Sequence, residues 1–407
     1  MTGSAPAGSA ATVVRPVRSA SLAAAGSGRG TLLGALDEQP DALVYFLLNV
    51  GDGDSQVLLL PPGSSHAERR VVVVDVATRH KVPELLIALH QAGLLPRPGT
   101  AGQVALLVAT HPHFDHIGGM GQLVEVLGQG SGCVDQFWDP GFYSPNPSFH
   151  DLMRRLEDDP RIRRLQPTSG TTLFLDCVRL TVLGPGVALR MRFDTYGVQV
   201  NDASLTLMVE FPATRLYAEP AQDRPGEVNR RLTARRSRRL LLGADAQFTS
   251  WAQTTSDFPD LHDHGNPLLQ KELRTAVGQD PLRADVFKLS HHASKNGVNV
   301  ELLARVNART TLVSSSAGGG RYNFPHLLAM EAAREAVQAT TQSGAARHDD
   351  DALGIHVTGS ILDTGEPVGS VALLLPRGSR PVRLFRLMDG PADPVDLTRA
   401  REAVPPP

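Results

Sequence analysis

Residues 104–119 read VALLVATHPHFDHIGG, an apolar run of strand length that leads into three histidines and one aspartate. The run is rich in Val and Leu, which is typical of a buried strand. In extended backbone, side chains two residues apart point the same way, so His111 and His113 can converge on one metal ion while Asp115 and His116, past the bend, face a second. Imidazole and carboxylate groups are the usual ligands of zinc, and manganese and iron are also compatible with them. The segment therefore predicts two divalent metal ions, with zinc as the first choice.

Two later strand ends carry the remaining ligand types. Residues 240–245, LLLGAD, end an apolar strand on Asp245, and residues 286–294, VFKLSHHAS, end another on His291 and His292. A pair of ions needs a bridging carboxylate and a closing histidine, and successive strands can deliver both to one edge of a sheet. Alone, an acid after a strand is usually a turn or a helix cap, and a histidine pair in a loop is usually on the surface. Their order after the first cluster favours a common site.

Short apolar runs alternate with helix-length amphipathic segments from residue 44 onward, which predicts an α/β domain of two sheets covered by helices. The predicted strands are 44–50, 56–60, 71–76, 104–109, 177–183, 204–210, 240–243, 285–289, 310–314, 354–358 and 371–375. The predicted helices lie between Pro83 and Gly93, at 148–157 and at 327–339. One domain over residues 41–385 accommodates these elements without a long linker.

Both ends and one internal stretch differ in composition from this domain. Residues 1–40, rich in Ala, Gly and Ser, and residues 386–407 are expected to be disordered tails. Residues 217–239 predict a basic insertion, whose paired arginines include Arg238 and Arg239. Arginine suits a phosphate backbone, but a solvated loop is the simpler interpretation.

The overall composition excludes several classes of protein. A formal net charge of -2 gives no global reason to bind nucleic acid or a membrane surface. The two cysteines, Cys133 and Cys177, are too few for a disulfide framework and suggest a reducing compartment. No run approaches the roughly 18 to 20 apolar residues that span a bilayer. We therefore expect a cytoplasmic protein without membrane insertion.

The spaced motifs together resemble the metallo-β-lactamase superfamily. They are most similar to the hydrolase domain of bacterial DNA-uptake (competence) proteins and its soluble relatives, over roughly residues 43–375. The landmarks are NVGDGDS at 49–55, a strand ending at Asp75, HPHFDH at 111–116, NDASL at 201–205, GADA at 243–246, SHHAS at 290–294 and RYN at 321–323. The resemblance implies an αββα sandwich, two mixed sheets flanked by helices, with the activity of a metal-dependent hydrolase.

The resemblance also implies a ligand set. One ion is assigned to His111 and His113, the other to Asp115 and His116, with Asp245 bridging them. The closing ligand is His291 or His292. In related nucleases the ligand histidine is followed by any residue and then serine, a spacing that His292 and Ser294 have, so His292 is the predicted ligand.

Other residues receive supporting roles from the same resemblance. Asp75 is expected to orient a histidine ligand. His291 and His326 are candidates to contact the substrate, as are Ser294 and Lys295.

One ligand that many superfamily members have is absent. No histidine lies between His150 and His262, where many members carry one. Asn201, Asp202 or water is therefore expected to complete the shell of the first ion.

The predicted chemistry is hydrolysis. Two ions about 3.5 to 4 Å apart can hold a hydroxide at neutral pH and stabilise both the entering and the leaving oxygen. Asp115 can accept a hydrogen bond from the attacking water while it ligates. Related competence domains are associated with DNA degradation and other relatives cleave phosphodiesters, so the predicted substrate is a phosphodiester, with nucleic acid among the candidates. The alternatives are an acyl or lactone hydrolase of the same fold and a non-catalytic metal-binding sensor module.

Overall fold

The computed structural model of the protein describes residues 30–403, apart from 65, 129–130, 192–199, 214–215, 221–227, 233–236, 260–279, 318–321, 323 and 343–353. The strands are β1 (Leu43–Leu47), β2 (Ser55–Leu59), β3 (Val71–Val76), β4 (Val104–Val108), β5 (Gln136–Trp138), β6 (Arg163–Leu165), β7 (Thr172–Leu175), β8 (Val178–Gly184), β9 (Thr206–Phe211), β10 (Leu216–Pro220), β11 (Val228–Leu232), β12 (Arg238–Leu242), β13 (Val286–Lys288), β14 (Thr310–Val313), β15 (Gly354–Val357), β16 (Val371–Leu375), β17 (Arg383–Arg386) and β18 (Arg401–Glu402). The helices are α1 (Leu32–Glu38), α2 (Lys81–Gln91), α3 (Phe114–Ile117), α4 (Met120–Val126), α5 (Pro147–Glu157), α6 (Val187–Met191), α7 (Phe248–Asp257), α8 (Val300–Val306) and α9 (Leu327–Gln342).

Two mixed sheets form the centre of the domain. Among the described residues, the first has nine strands in the order β18-β17-β16-β1-β2-β3-β4-β5-β6, antiparallel as far as β3 and parallel from β3 to β6. The second has seven strands in the order β15-β14-β13-β12-β9-β8-β7, parallel from β15 to β12 and antiparallel beyond. The predicted fold class, an α/β sandwich of two mixed sheets flanked by helices, is confirmed.

In the described part of the chain, three apolar cores hold these layers together. The inner core lies between the sheets and includes Tyr45 and Val72 from the first sheet and Leu180 and Leu240 from the second. An outer core packs the first sheet against α1, α2, α4 and α5, and another packs the second sheet against α7, α8 and α9. Strands such as β3 and β4 are buried on both faces, which explains why they read as continuous apolar runs rather than as alternating ones.

The carboxyl-terminal segment differs from its prediction. Residues 386–403 are part of the domain, because β18 pairs with β17 and Asp389 forms a buried ion pair with Lys81, their atoms 2.6 Å apart. The expected disorder of residues 386–407 is therefore wrong up to residue 403. At the other end, α1 lies within the stretch 1–40 that was expected to be a tail, while residues 1–29 lie outside the described part.

The predicted basic insertion is shorter than expected. Its last two arginines, Arg238 and Arg239, belong to β12 and are only 6% and 5% exposed. Arg238 donates to the carbonyl oxygen of Arg380 and Arg239 to that of Asp280, so these two guanidinium groups bind main chain rather than a phosphate backbone. The other paired arginines of the insertion have side chains outside the described residues.

Among the residues that the structure describes, no helix is long and apolar enough to cross a membrane.

Candidate metal centre

The ends of four strands, two from each sheet, meet at one edge of the sandwich. β3 ends next to Asp75, β4 leads into His111, β12 leads to Asp245, and β13 leads to His292. The side chains of His111, His116, Asp245 and His292 are at most 3% exposed. The pattern of apolar strands ending on ligand-type residues therefore does bring the predicted ligands together.

One group of ligand atoms surrounds Oδ1 of Asp245. Nε2 of His116 lies 3.2 Å from this oxygen and Nε2 of His292 lies 3.6 Å from it, while Oδ2 of Asp115 lies 3.6 Å from Nε2 of His292. Asp115, His116 and His292 form a cluster whose ligand atoms all lie within 4.8 Å of one another.

Three atoms of this group are buried and lack a hydrogen-bond partner: Nε2 of His116, Nε2 of His292 and Oδ1 of Asp245. Leaving buried polar atoms unpaired is costly, so a group of them that converges on one point is a sign of a missing partner. Two imidazole nitrogens and a carboxylate oxygen are the donor set that a divalent cation such as zinc accepts. The residues present thus fit a metal ion.

A second group lies on the other side of the same carboxylate. Nε2 of His111 lies 3.8 Å from Oδ2 of Asp245 and 3.0 Å from Nδ1 of His113. His111, His116 and Asp245 form a second cluster of ligand atoms within 4.8 Å. The two oxygens of Asp245 therefore face different histidines, the arrangement expected of a bridging carboxylate.

Hydrogen bonds at Nδ1 fix the orientation of two predicted ligands, His116 and His292. Nδ1 of His116 lies 2.7 Å from Oδ2 of Asp75, and Asp75 is fixed by the main-chain N–H and the hydroxyl of Thr110 at 2.8 and 2.7 Å. Nδ1 of His292 donates to the carbonyl oxygen of Ser314 at 2.9 Å. Such contacts fix the tautomer and the ring orientation, and they leave Nε2 of each ring facing the site. Asp75 thus contacts a predicted ligand in the way that its predicted role requires.

The backbone is strained at several positions around the site. Ala244, His291, His292 and Ala293 have φ angles of 45°, 50°, 52° and 60°, and Asp75 has 58°. Positive φ is uncommon in residues other than glycine and costs of order 1–3 kcal/mol each. The hydrogen bond from the His291 N–H to the Ala244 carbonyl, 2.8 Å long, joins the two strained turns. None of them is Gly or Asn, so the sequence gives only a weak signal of this conformation, from the Asp and His residue types.

Burial and neighbouring charges set the protonation of the ligands. Burial, reinforced by the nearby His116, lowers the pKa of His111 well below its ordinary value, so His111 is neutral at pH 7. Burial raises the pKa of Asp245, but the charges of His116 and His292 outweigh burial and hold this pKa well below its usual range. A neutral imidazole and an ionised carboxylate are the forms that bind a cation.

His291 and His292 occupy different positions. The His292 side chain is 1% exposed and lies in a ligand cluster, whereas the His291 side chain is 19% exposed and its Nε2 lies 3.3 Å from the amide nitrogen of Asn201. This geometry favours His292 as the ligand, and it leaves His291 at the rim, 3.8 Å from Oδ2 of Asp245.

Asn201 and Asp202, the two candidates for the missing ligand of the first ion, also occupy different positions. Asp202 is engaged elsewhere, because its Oδ1 accepts from the N–H and the hydroxyl of Ser250 at the start of α7. Asn201 stays beside His291, and its Oδ1 is buried without a hydrogen-bond partner. Of these two, Asn201 is the one that the structure places near the metal centre.

His326 lies next to α9 rather than among the ligands. Its Nδ1 accepts from the N–H of Leu328 at 3.3 Å, and its own N–H donates to the carbonyl oxygen of Ala293. These contacts cap the helix and anchor the loop. Its role in contacting the substrate stays a prediction.

Sequence reasoning missed two features of the site. Lys288 and Asp54 form an ion pair with both side chains fully buried, and the ring of Phe324 packs against both His291 and His292. The lysine within the apolar run VFKL was a signal for the first, since an unpaired buried lysine is rare. Nothing in the local sequence pointed to the second.

The family comparison agrees with this geometry. Residues 66–184 match the family model of the metallo-beta-lactamase superfamily, and this stretch includes β3, β4 and the HPHFDH segment. Over these residues the chain is similar to that superfamily. No curated protein matches it.

Several solved structures are similar to this chain at low sequence identity. One is the metallo-beta-lactamase fold protein YhfI from Bacillus subtilis, at 10% identity and a TM-score of 0.38, with 79% of this chain and 98% of that chain covered. Another is CmlA, a diiron beta-hydroxylase from Streptomyces venezuelae, at 11% identity and a TM-score of 0.35, with 78% and 52% covered. A third is a long form of RNase Z from yeast, at 9% identity and a TM-score of 0.33, with 68% and 38% covered.

Proposed function

We propose that this chain is a metal-dependent hydrolase that cleaves phosphodiester bonds. The observation that carries the proposal is the position of Asp245, whose Oδ1 faces His116 and His292 while its Oδ2 faces His111. Two divalent ions, when bound, activate a water molecule at neutral pH and offset the charge on the entering and leaving oxygens. Zinc is the proposed metal, with manganese or iron as the alternatives.

The residues of the chain contribute position and charge. His111, His113 and Asp245 would hold one ion, and Asp115, His116, Asp245 and His292 the other. The Asp115 side chain is 36% exposed, so its carboxylate lies at the mouth of the site, where it can accept a hydrogen bond from the attacking water. His291, at the rim, can donate to an oxygen of the substrate.

One feature of the sequence argues against β-lactamase activity. The chain has no histidine between His150 and His262. Enzymes that open β-lactam rings generally use three histidines at the first site, and this chain offers His111 and His113 there. The resemblance to competence proteins supports phosphodiester cleavage over acyl hydrolysis, and with it nucleic acid as a candidate substrate.

Elemental analysis followed by a substrate panel tests the proposal. We expect about two ions per chain, turnover of bis(p-nitrophenyl) phosphate, and little turnover of lactones, thioesters or β-lactams. His113→Ala should abolish turnover and lower the metal content. The matched control is His66→Ala, because His66 is exposed and lies beside Arg70 near the opposite end of β2 from Asp54.

Two outcomes would overturn the proposal. Turnover of acyl compounds without turnover of phosphodiesters would favour the lactonase or thioesterase alternative. Less than about one ion per chain, with no turnover of either class, would favour a non-catalytic module.

A further inference from the structure

A row of aromatic rings leads from the metal centre to the surface. The ring of Phe324 lies 5.6 Å from the ring of His291 and 5.7 Å from that of His292, measured between centroids. The ring of Tyr322 is stacked on Phe324 at 5.8 Å with an interplanar angle of 28°. The row therefore leads from a predicted metal ligand through Phe324 to Tyr322.

The outer end of the row is open to solvent. Tyr322 is 59% exposed, whereas Phe324 is partly buried between it and the histidines. An exposed aromatic side chain is ordinary on a protein surface when it stands alone. Here the Tyr322 ring instead stacks on Phe324, which contacts His291 and His292. Stacking is one of the preferred arrangements of aromatic pairs.

The segment that carries Tyr322 and Phe324 is hydrogen-bonded to the turn that contains His292. The N–H of His326 donates to the carbonyl oxygen of Ala293 at 2.9 Å, and Ala293 directly follows His292. Pro325, between Phe324 and His326, is buried. The position of the Phe324 ring relative to the metal centre is thereby set by both a main-chain hydrogen bond and a ring contact.

We propose that Tyr322 and Phe324 form a stacking surface for a nucleobase next to the scissile phosphate, so that the preferred substrate is a phosphodiester of a nucleoside. This inference rests on the proposed phosphodiesterase function. A base has a flat face that stacks on an aromatic ring, and such stacking tolerates any base sequence. A ribose separates a base from its phosphate, so a base on Tyr322 leaves room for the phosphate at the metal centre.

Two chromogenic esters that differ in the base test the proposal. Thymidine 5′-(p-nitrophenyl phosphate) carries a base on the side of phosphorus away from the leaving group, and methyl p-nitrophenyl phosphate carries none there. The leaving group is the same, so the ratio of their kcat/KM values isolates the contribution of the nucleoside. We expect the wild-type protein to favour the thymidine ester.

Variants at Tyr322 then assign that preference to the ring. Stacking is worth about 1–3 kcal/mol per base, so Tyr322→Leu should lower the ratio by about 5-fold to about 150-fold. Tyr322→Phe keeps the ring and should keep the ratio. Phe174→Leu is the matched control, because Phe174 is also an exposed aromatic residue, 43% exposed, but lies beside Leu60 and His66 at the far end of β2.

The outcomes separate this inference from the proposed function. Equal ratios in the wild-type protein and Tyr322→Leu would overturn the stacking surface while leaving phosphodiester hydrolysis intact. A ratio that falls as far in Tyr322→Phe as in Tyr322→Leu would also overturn it, because the ring would then not be responsible. No turnover of either ester by the metal-loaded wild-type protein would instead defeat the proposed function, and the inference with it.

Discussion

Removing the positive charge of Lys288 should destabilise the protein more than any surface substitution. Lys288 lies in β13, and its ammonium group contacts Oδ2 of Asp54 with neither side chain exposed. The pair lies directly under the metal centre, because Oδ1 of Asp54 is 3.8 Å from Nδ1 of His292 and the Asp54 N–H donates to the carbonyl oxygen of Asp115. Lys288→Met keeps most of the side-chain volume and removes the charged ammonium group, with its hydrogen-bond donors.

The expected loss in the free energy of unfolding follows from the Asp54 charge that remains buried. In Lys288→Met the carboxylate of Asp54 remains buried, and its nearest remaining side-chain donor is the amide of Gln56 at 3.5 Å. Breaking a buried ion pair by removing one partner costs about 3–5 kcal/mol in the free energy of unfolding, because an uncompensated charge stays inside. Adding Asp54→Asn removes that charge, so the double variant should be more stable than the sum of the two single changes predicts, by about 2 kcal/mol or more.

Equilibrium unfolding in urea measures these free energies. The two tryptophans are each 1% exposed: Trp138 lies in the inner core between the sheets and Trp251 in the outer core of the second sheet, so their fluorescence reports unfolding of both cores. The slope against urea concentration should be unchanged in the variants, which shows that stability alone has changed. A cost below about 1 kcal/mol for Lys288→Met, or strict additivity in the double variant, would refute the reasoning.

Three further predictions concern the metal ligands. His292→Ala should lose about one ion per chain in elemental analysis while His291→Ala keeps both, and equal losses would contradict the ligand assignment. Asp75→Asn should weaken metal binding by about 10-fold to 100-fold in chelator competition, and unchanged affinity would show that its contact with His116 is not needed. Burial lowers the pKa of His116, but Asp245 and Asp75 outweigh burial and raise it well above its ordinary value, so metal binding at neutral pH should release a proton and tighten as the pH rises. Calorimetry in buffers of different ionisation enthalpy measures that proton, and its absence would contradict the shift.

The sequence was most informative where chemistry restricts the residue type. The HPHFDH segment, Asp245 and His292 could be predicted as one site because each follows a recognisable apolar strand, and few structural roles require such clusters. The two-sheet fold could be predicted for the same reason, since buried strands need apolar residues at nearly every position. The positive φ angles of His291 and Ala293 could not be predicted from the sequence, because they are imposed by the turn and its hydrogen bond to Ala244.

Contacts between distant parts of the chain account for most of the remaining differences between the predicted and the observed structure. Arg238 and Arg239 read as part of a basic loop, but their partners are carbonyl groups 142 and 41 residues away, which no local pattern reveals. The C-terminal residues read as a tail because the partner of Asp389, Lys81, lies 308 residues earlier.

A charged residue inside an apolar strand is nevertheless a usable signal. Burying an unpaired charge costs so much that a lysine flanked by Val, Phe and Leu requires an acidic partner elsewhere in the core. That requirement restricts the partner of Lys288 to an acid beside another buried strand. Asp54, immediately before β2, satisfies it. The same reasoning connects fold to function, because the pair joins the two sheets at the edge where Asp115 and His292 lie, and it thereby fixes the spacing between ligands that come from different sheets.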